Sequence, residues 1–156
     1  MDIGKVLKGH DVFRSFTPKQ VDVIAAFSSL KTLEKGENVY TADKRATHFF
    51  VLLEGEVDLR LPGAPGRPGL VVSRVQHGEL FGIAPLLGRE RYTTHAVCTA
   101  ASKILYVEAR PLIEMLKGNA LVGQDLMTSV ARAYFDRYQR LLERVEKVIV
   151  GLPSEV

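Results

Sequence analysis

The stretch Gly78-Glu79-Leu80-Phe81-Gly82-Ile83-Ala84-Pro85-Leu86-Leu87-Gly88-Arg89-Glu90-Arg91-Tyr92-Thr93-Thr94-His95-Ala96-Val97 decides how this chain is read. Gly82 suits a tight turn with positive φ, a conformation that costs a glycine nothing. Thr93 and Thr94 are β-branched and lead into a strand, with His95 alternating beside them. Taken alone, Arg91 is a solvated loop arginine next to Arg89 and Glu90.

Outward from this stretch the apolar period is close to two, in short runs broken by glycine. These are Leu30-Thr32, Val39-Tyr40, Phe49-Leu53, Val57-Leu61, Leu70-Val75, Thr94-Cys98 and Ile104-Val107. Short strands with turn signals every 8 to 12 residues predict a sandwich or barrel. Glu54-Gly55 turns one hairpin, and the segment from Pro62 to Gly69 is too rich in proline and glycine to pair, so it reads as an exposed hairpin tip.

Helical patterns flank the strands. Residues 2–27 read as helical, with Val6, Leu7, Phe13 and Phe16 apolar and a helix start at Thr17-Pro18-Lys19-Gln20. There Thr17 caps, Pro18 occupies the first helical position and Gln20 completes a capping box. After Ala109-Arg110-Pro111 the helical period returns through Leu112, Met115 and Leu116, breaks near Gly118, and resumes from about Ala120 to Val150, ending at Gly151-Leu152-Pro153. In this last helix Met127, Val130, Tyr134, Tyr138, Leu141, Val145 and Val148 form a near-heptad seam with charged flanks, which predicts a homodimer through residues 127–148.

Four patches in order carry a resemblance. Phe13-Arg14-Ser15-Phe16-Thr17-Pro18-Lys19-Gln20-Val21 is similar to the N-terminal helical entry of the cyclic-nucleotide-binding domain family, and Leu33-Glu34-Lys35-Gly36-Glu37-Asn38-Val39 to its first glycine turn. Phe49-Phe50-Val51-Leu52-Leu53-Glu54-Gly55-Glu56-Val57 resembles its central hairpin, and residues 78–97 its phosphate-binding cassette, so the likeness spans roughly residues 6–145. It implies a mainly β fold with flanking helices: a double-stranded β-helix (jelly roll, or β-roll) at 29–108, N-terminal helices at 1–28 and C-terminal helices at 109–150, in one domain over 1–156.

The resemblance also implies a site. In the family a glycine-rich turn and a short helix between two strands hold the cyclic phosphate through backbone amides, and an arginine neutralises it. The matching residues are Phe81, Gly82, Ile83, Ala84, Tyr92 and Thr93, with Arg91 as the phosphate arginine and Arg89 in reserve. Base contacts fall on Arg137 and Tyr138 of the long helix. The family glutamate that accepts the ribose 2′-hydroxyl is here Ile83, which accepts no hydrogen bond. That loss is worth on the order of 1.5–3 kcal/mol, so cyclic AMP and cyclic GMP are doubtful ligands.

Composition narrows the functional classes. With 156 residues and 46% hydrophobic side chains the chain fills one core, and two full domains would be cramped. Cys98 is the single cysteine and cannot form an internal disulfide; it reads as an inert buried thiol in a reducing, cytoplasmic setting. The histidines His10, His48, His77 and His95 lack metal-ligand spacing, and no nucleophile has a plausible base, so neither a metal centre, a resident cofactor nor an enzyme is expected. No apolar run approaches a membrane span, and the N-terminus lacks a signal-peptide core. A net charge of +3 without a basic block does not predict DNA binding. The family's transcription regulators carry a helix-turn-helix after the long helix, and none is expected after Val156. The sequence therefore predicts a regulatory module that senses a cyclic nucleotide or another phosphate-bearing ligand and signals to a partner protein. The alternative is a ligand-free dimeric scaffold with a degenerate pocket.

Overall fold

The computed structural model describes residues 2–67 and 69–150. Two N-terminal helices, α1 (Ile3–Lys8) and α2 (Pro18–Ala26), are separated by a 3₁₀ turn at Asp11–Phe13. The strands are β1 (Ser28–Leu33), β2 (Asn38–Tyr40), β3 (His48–Glu54), β4 (Val57–Arg60), β5 (Val71–Val75), β6 (Leu80–Phe81), β7 (His95–Cys98) and β8 (Ser102–Glu108). A second 3₁₀ turn, Ala84–Leu87, lies between β6 and β7, and the chain continues into α3 (Ala109–Leu116) and α4 (Ala120–Val150).

The strands form two four-stranded antiparallel sheets, ordered β1-β8-β3-β6 and β2-β7-β4-β5, which is the expected jelly roll. β3 and β8 are interior strands of their sheet and are buried on both faces, which is why their sequences are near-continuous apolar runs. Phe49 and Val51 of β3 pack with Leu105 and Val107 of β8 against the helices, in a core shared with Leu7, Phe13, Ile24, Leu112, Leu126 and Val130. Their strand neighbours Phe50 and Leu52 face the opposite way, towards Val57, Phe81, Tyr92, Ala96, Ile104 and Tyr106 between the sheets. One side of the sheet thus anchors the helices, and the other builds the interior of the roll.

The capping box forms as read. Thr17 Oγ1 accepts from the Gln20 amide at 3.2 Å and Gln20 Oε1 accepts from the Thr17 amide at 2.8 Å. The helical reading of residues 2–27 is interrupted, because α1 ends at Lys8 and the chain turns through Gly9 before α2 begins. His10 holds this corner: its Nδ1 accepts from the Val12 amide and its Nε2 hydrogen-bonds to the Gly78 carbonyl oxygen, so the N-terminal segment is tied to the start of the 78–97 stretch. At the other end, Asn119 Nδ2 donates to the Met115 carbonyl oxygen at 2.9 Å and caps the break between α3 and α4. The helix stop read at Gly151-Leu152-Pro153 and Pro68 of the hairpin tip lie outside the described residues. No helix among the described residues is long and apolar enough to cross a membrane.

Candidate functional site

The 78–97 stretch folds into a compact turn laid over β3. The Gly78 amide donates to the Leu52 carbonyl at 2.7 Å and the Leu52 amide to the Glu79 carbonyl at 3.2 Å, after which Leu80 and Phe81 pair with Val51 and Phe50. Gly82 has φ +62°, and a Cβ there would lie 2.5 Å from the Phe50 ring and 2.8 Å from that of Tyr40. The position therefore needs a glycine twice over, for its left-handed backbone and for the close approach of the rings. Ile83 leads into the 3₁₀ turn with no side-chain cap, and Pro85 removes one amide from the segment that could have faced an anion.

Beside this turn lies a cavity of about 270 Å³, walled by the turn, by β2, β4 and β5, and by α4. From the turn and the chain after it come Gly82, Ile83, Ala84, Tyr92, Thr93 and Thr94. The strands add Tyr40, Leu59, Val72 and Ser73, and α4 adds Tyr134, Arg137, Tyr138 and Leu141. Of the residues predicted for the site, the structure brings together Gly82, Ile83, Ala84, Tyr92, Thr93, Arg137 and Tyr138. Phe81 lies beneath them, fully buried in the inter-sheet core.

Arg91 is not brought to this cavity. Its Nη1 donates to the Asp43 carbonyl oxygen at 2.6 Å, and it lines a separate surface groove with Arg45, Arg89, Glu90 and Arg110. The cause is the neighbouring residue. Tyr92 turns its ring inward, where its hydroxyl donates to the His48 carbonyl oxygen at 2.6 Å and its ring stacks on Tyr40 with centroids 4.1 Å apart, so the side chain before it faces outward. Arg89, the reserve candidate, lines that same outer groove.

The positive charge in the cavity comes from α4 instead. Arg137 is only 11% exposed along its side chain; its Nη2 donates to the Leu80 carbonyl oxygen and lies 3.9 Å from Glu79 Oε2. Its buried Nε has no hydrogen-bond partner among the described residues. Burial pushes the guanidinium pKa down from its ordinary value, while Glu79, Tyr40 and Tyr134 oppose this, and an arginine keeps its charge throughout. Arg140, one turn further on, holds Glu79 bidentately at 2.9 and 3.1 Å. Burial works to raise the Glu79 pKa, but the Arg140 hydrogen bond, the Gln76 amide and the charges of Arg140 and Arg137 outweigh it and hold the carboxyl below its ordinary range.

The remaining lining is neutral. Burial pushes the Tyr40 phenol up to about 12 against the opposing pull of Thr94 and Arg137, and burial also raises Tyr92, so both stay protonated. Ser73 Oγ is buried with no partner among the described residues. No carboxylate is among the residues that line the cavity. No group of three or more His, Cys, Asp or Glu side chains suited to a metal occurs among the described residues, and burial raises the thiol pKa of Cys98, which keeps it unreactive.

Sequence reasoning did not assign Tyr40, Leu59, Val72, Ser73, Thr94, Tyr134 or Leu141 to the site. Leu141 and Tyr134 were within reach, because they share the helical spacing of Arg137 and Tyr138. Tyr40 and the β4–β5 residues come from distant strands and carry no local signal.

Residues 30–119, more than half of the chain, match the model of the cyclic nucleotide-binding domain. The chain belongs to that family. Among solved structures it is similar to a protein of Geobacter metallireducens GS-15 assigned as cyclic nucleotide-binding, at 29% identity and TM-score 0.76 over 88% of this chain and 99% of that one. It shares its fold with the sensor domain of the transcriptional regulator DNR from Pseudomonas aeruginosa (19% identity, TM-score 0.72, 83% of this chain and 91% of that one). The same holds for the regulatory domain of Toxoplasma gondii PKA, solved with cAMP (18% identity, TM-score 0.65, 83% of this chain and 48% of that one). No curated protein is similar enough in sequence to count as a relative.

Proposed function

We propose that this chain is a cytoplasmic, non-catalytic sensor module that binds a small anion in the cavity between Gly82 and α4 and signals through the position of that helix. One observation carries the reading. Arg137 is a largely buried cation that lines a cavity and whose Nε has no hydrogen-bond partner among the described residues. Burying a charge is costly unless a counter-charge and hydrogen bonds offset it, and Glu79 at 3.9 Å is only a partial counter-charge because Arg140 already claims it. An anion such as the cyclic phosphate of a nucleotide would complete the set. The membership of the cyclic nucleotide-binding family and the fold shared with a regulator's sensor domain support the same reading.

Signalling follows from where Arg137 sits. It holds α4 to the Leu80 carbonyl and to Glu79, so an anion that draws the guanidinium into the cavity weakens that attachment and biases the helix between two arrangements. The output passes to a second copy of the chain and to a downstream partner protein through the exposed face of α4. Thermal-shift and calorimetric titrations with cyclic AMP, cyclic GMP and inorganic phosphate test the module as a sensor. The expected result is an anion-dependent rise in melting temperature that Arg137→Met removes; no response to any anion at millimolar concentration would sink the reading.

The second reading, a ligand-free dimeric scaffold, is favoured by Ile83, Pro85 and the ring packing that already explains Gly82. Under it, Arg137→Met leaves both partner binding and the response to anions unchanged.

A further inference from the structure

We infer that the cavity takes an apolar-bodied monoanion, an aromatic carboxylate, in preference to a cyclic nucleotide; this rests on the reading that the cavity binds an anion. Charge alone does not choose between the two, because each carries a single negative charge for Arg137 to meet. The rest of the lining does choose.

A nucleotide presents a sugar and a base whose polar groups all need partners once water is removed. The cavity offers the hydroxyls of Ser73, Thr93, Thr94, Tyr134 and Tyr138, but no carboxylate or side-chain amide to grip a ribose or read the edge of a base. Leu59, Val72 and Leu141 are its apolar walls, Ile83 packs its side chain into the helix-side core, and no carboxylate lines the cavity to accept from a sugar hydroxyl. The Tyr92 hydroxyl is spent on the His48 backbone, and Tyr40 has its hydroxyl near Thr94 at 3.5 Å. Arg140 is committed to Glu79, and Arg91 faces the outer groove, so neither supplements Arg137.

An aromatic carboxylate matches what remains. Its carboxylate is planar and suits the fork of a guanidinium, and Ser73, whose buried hydroxyl also has no partner among the described residues, lines the same cavity. Its ring meets aliphatic walls and the rings of Tyr134 and Tyr138, which favour offset or edge-on contact with another ring. The volume of about 270 Å³ falls just below the range of roughly 300–1,000 Å³ usual for ligand pockets, which suits a compact molecule.

The test is isothermal titration of the full chain with 2-naphthoate, with its neutral isostere 2-naphthamide, and with cyclic AMP and cyclic GMP. Expected for the natural sequence is binding of naphthoate at least tenfold tighter than naphthamide and tighter than either nucleotide. In Arg137→Met the naphthoate advantage over naphthamide disappears. The naphthoate–naphthamide comparison needs no variant, so it stands even where Arg137→Met does not fold. Equal affinity for the two naphthalenes, or naphthoate binding that survives Arg137→Met, overturns the inference. A cyclic nucleotide that binds more tightly than naphthoate overturns the inference and leaves the sensor reading standing. Silence from every anion at millimolar concentration overturns both.

Discussion

Gly82 shows how one residue can serve the fold and the site at once. Its φ of +62° and the Phe50 and Tyr40 rings 2.5 and 2.8 Å from a notional Cβ are two separate demands, and Gly36 separates them. Gly36 also has positive φ, +92°, but nothing lies within 4 Å of its notional Cβ. Gly36→Ala should therefore cost only the backbone term, about 1–2 kcal/mol. Gly82→Ala should cost that and a further 1–3 kcal/mol or so of overpacking, because the rings it meets are themselves packed against Phe81 and Tyr92. Urea denaturation of the two variants checks this: equal midpoints would mean that the aromatic cluster yields easily and that Gly82 is held by its turn alone. The same cluster explains why Arg91 points outward. The inward ring of Tyr92 is a tertiary choice made with Tyr40 and Phe50, and the local pattern Arg-Glu-Arg-Tyr-Thr-Thr carries no trace of it.

At the scale of the element, one acidic residue gathers the charged contacts that tie α4 to the roll, beside the Arg137–Leu80 hydrogen bond and the buried Leu126 and Val130. Glu79 accepts from the Gln76 amide at 2.8 Å and from both Arg140 nitrogens, and it lies 3.9 Å from Arg137, so it joins the start of β6 to two successive turns of the helix. Its folded pKa lies below the ordinary glutamate value of 4.5, so the unfolded chain binds more protons in the acid range. The stabilisation is therefore present in full above pH 4.5 and is lost as the pH falls through the lower, folded value. Glu79→Gln should cost on the order of 1–2 kcal/mol at neutral pH and should flatten this part of the acid limb of the stability curve. Thermal melts of both proteins from neutral to acid pH measure it; parallel curves would show that Glu79 does not hold the helix. The elements differ in how plainly the sequence announces them. β3 and β8 stand out because burial on both faces demands unbroken apolar runs, and α2 because Thr17, Pro18 and Gln20 are a local device. β6 has two residues, too few to show a period, and is defined only by pairing with β3, while α1 and its 3₁₀ neighbour look like one helix until His10 is seen bonded to Gly78. For the candidate site, Arg137 and Tyr138 are legible as helix positions, whereas the strand walls that face them depend on how the two sheets close.

For the whole molecule the question is what covers α4. Of the heptad seam read from sequence, Val130 is buried in the helix-side core and Leu141 lines the cavity, whereas Met127, Tyr134, Tyr138, Val145 and Val148 are exposed. Phe135, Leu142 and Ile149 are exposed as well, and with Tyr138 and Val145 they make a second row, Phe135, Tyr138, Leu142, Val145 and Ile149, spaced 3, 4, 3 and 4 along the helix. That is a cleaner heptad than the first, rotated away from the roll, and Phe135 and Ile149 are each about 60% exposed on it. An unbroken stripe of this kind on one chain is self-complementary across a two-fold axis, which is the commonest way that soluble chains pair. Replacing Leu142 and Val145 together by glutamate should leave the roll folded, since neither contributes to its core, and should convert a reversible dimer to monomer in sedimentation equilibrium. Tyr138 links this event to the cavity, because it belongs to both the stripe and the lining. Linkage then requires that an anion bound beside Arg137 change the dimer affinity by the same factor by which dimerisation changes anion affinity. Sedimentation with and without saturating 2-naphthoate, set beside titrations of the natural and double-glutamate proteins, measures both sides of that equality. A dimer that persists with both glutamates in place would move the interface off this stripe.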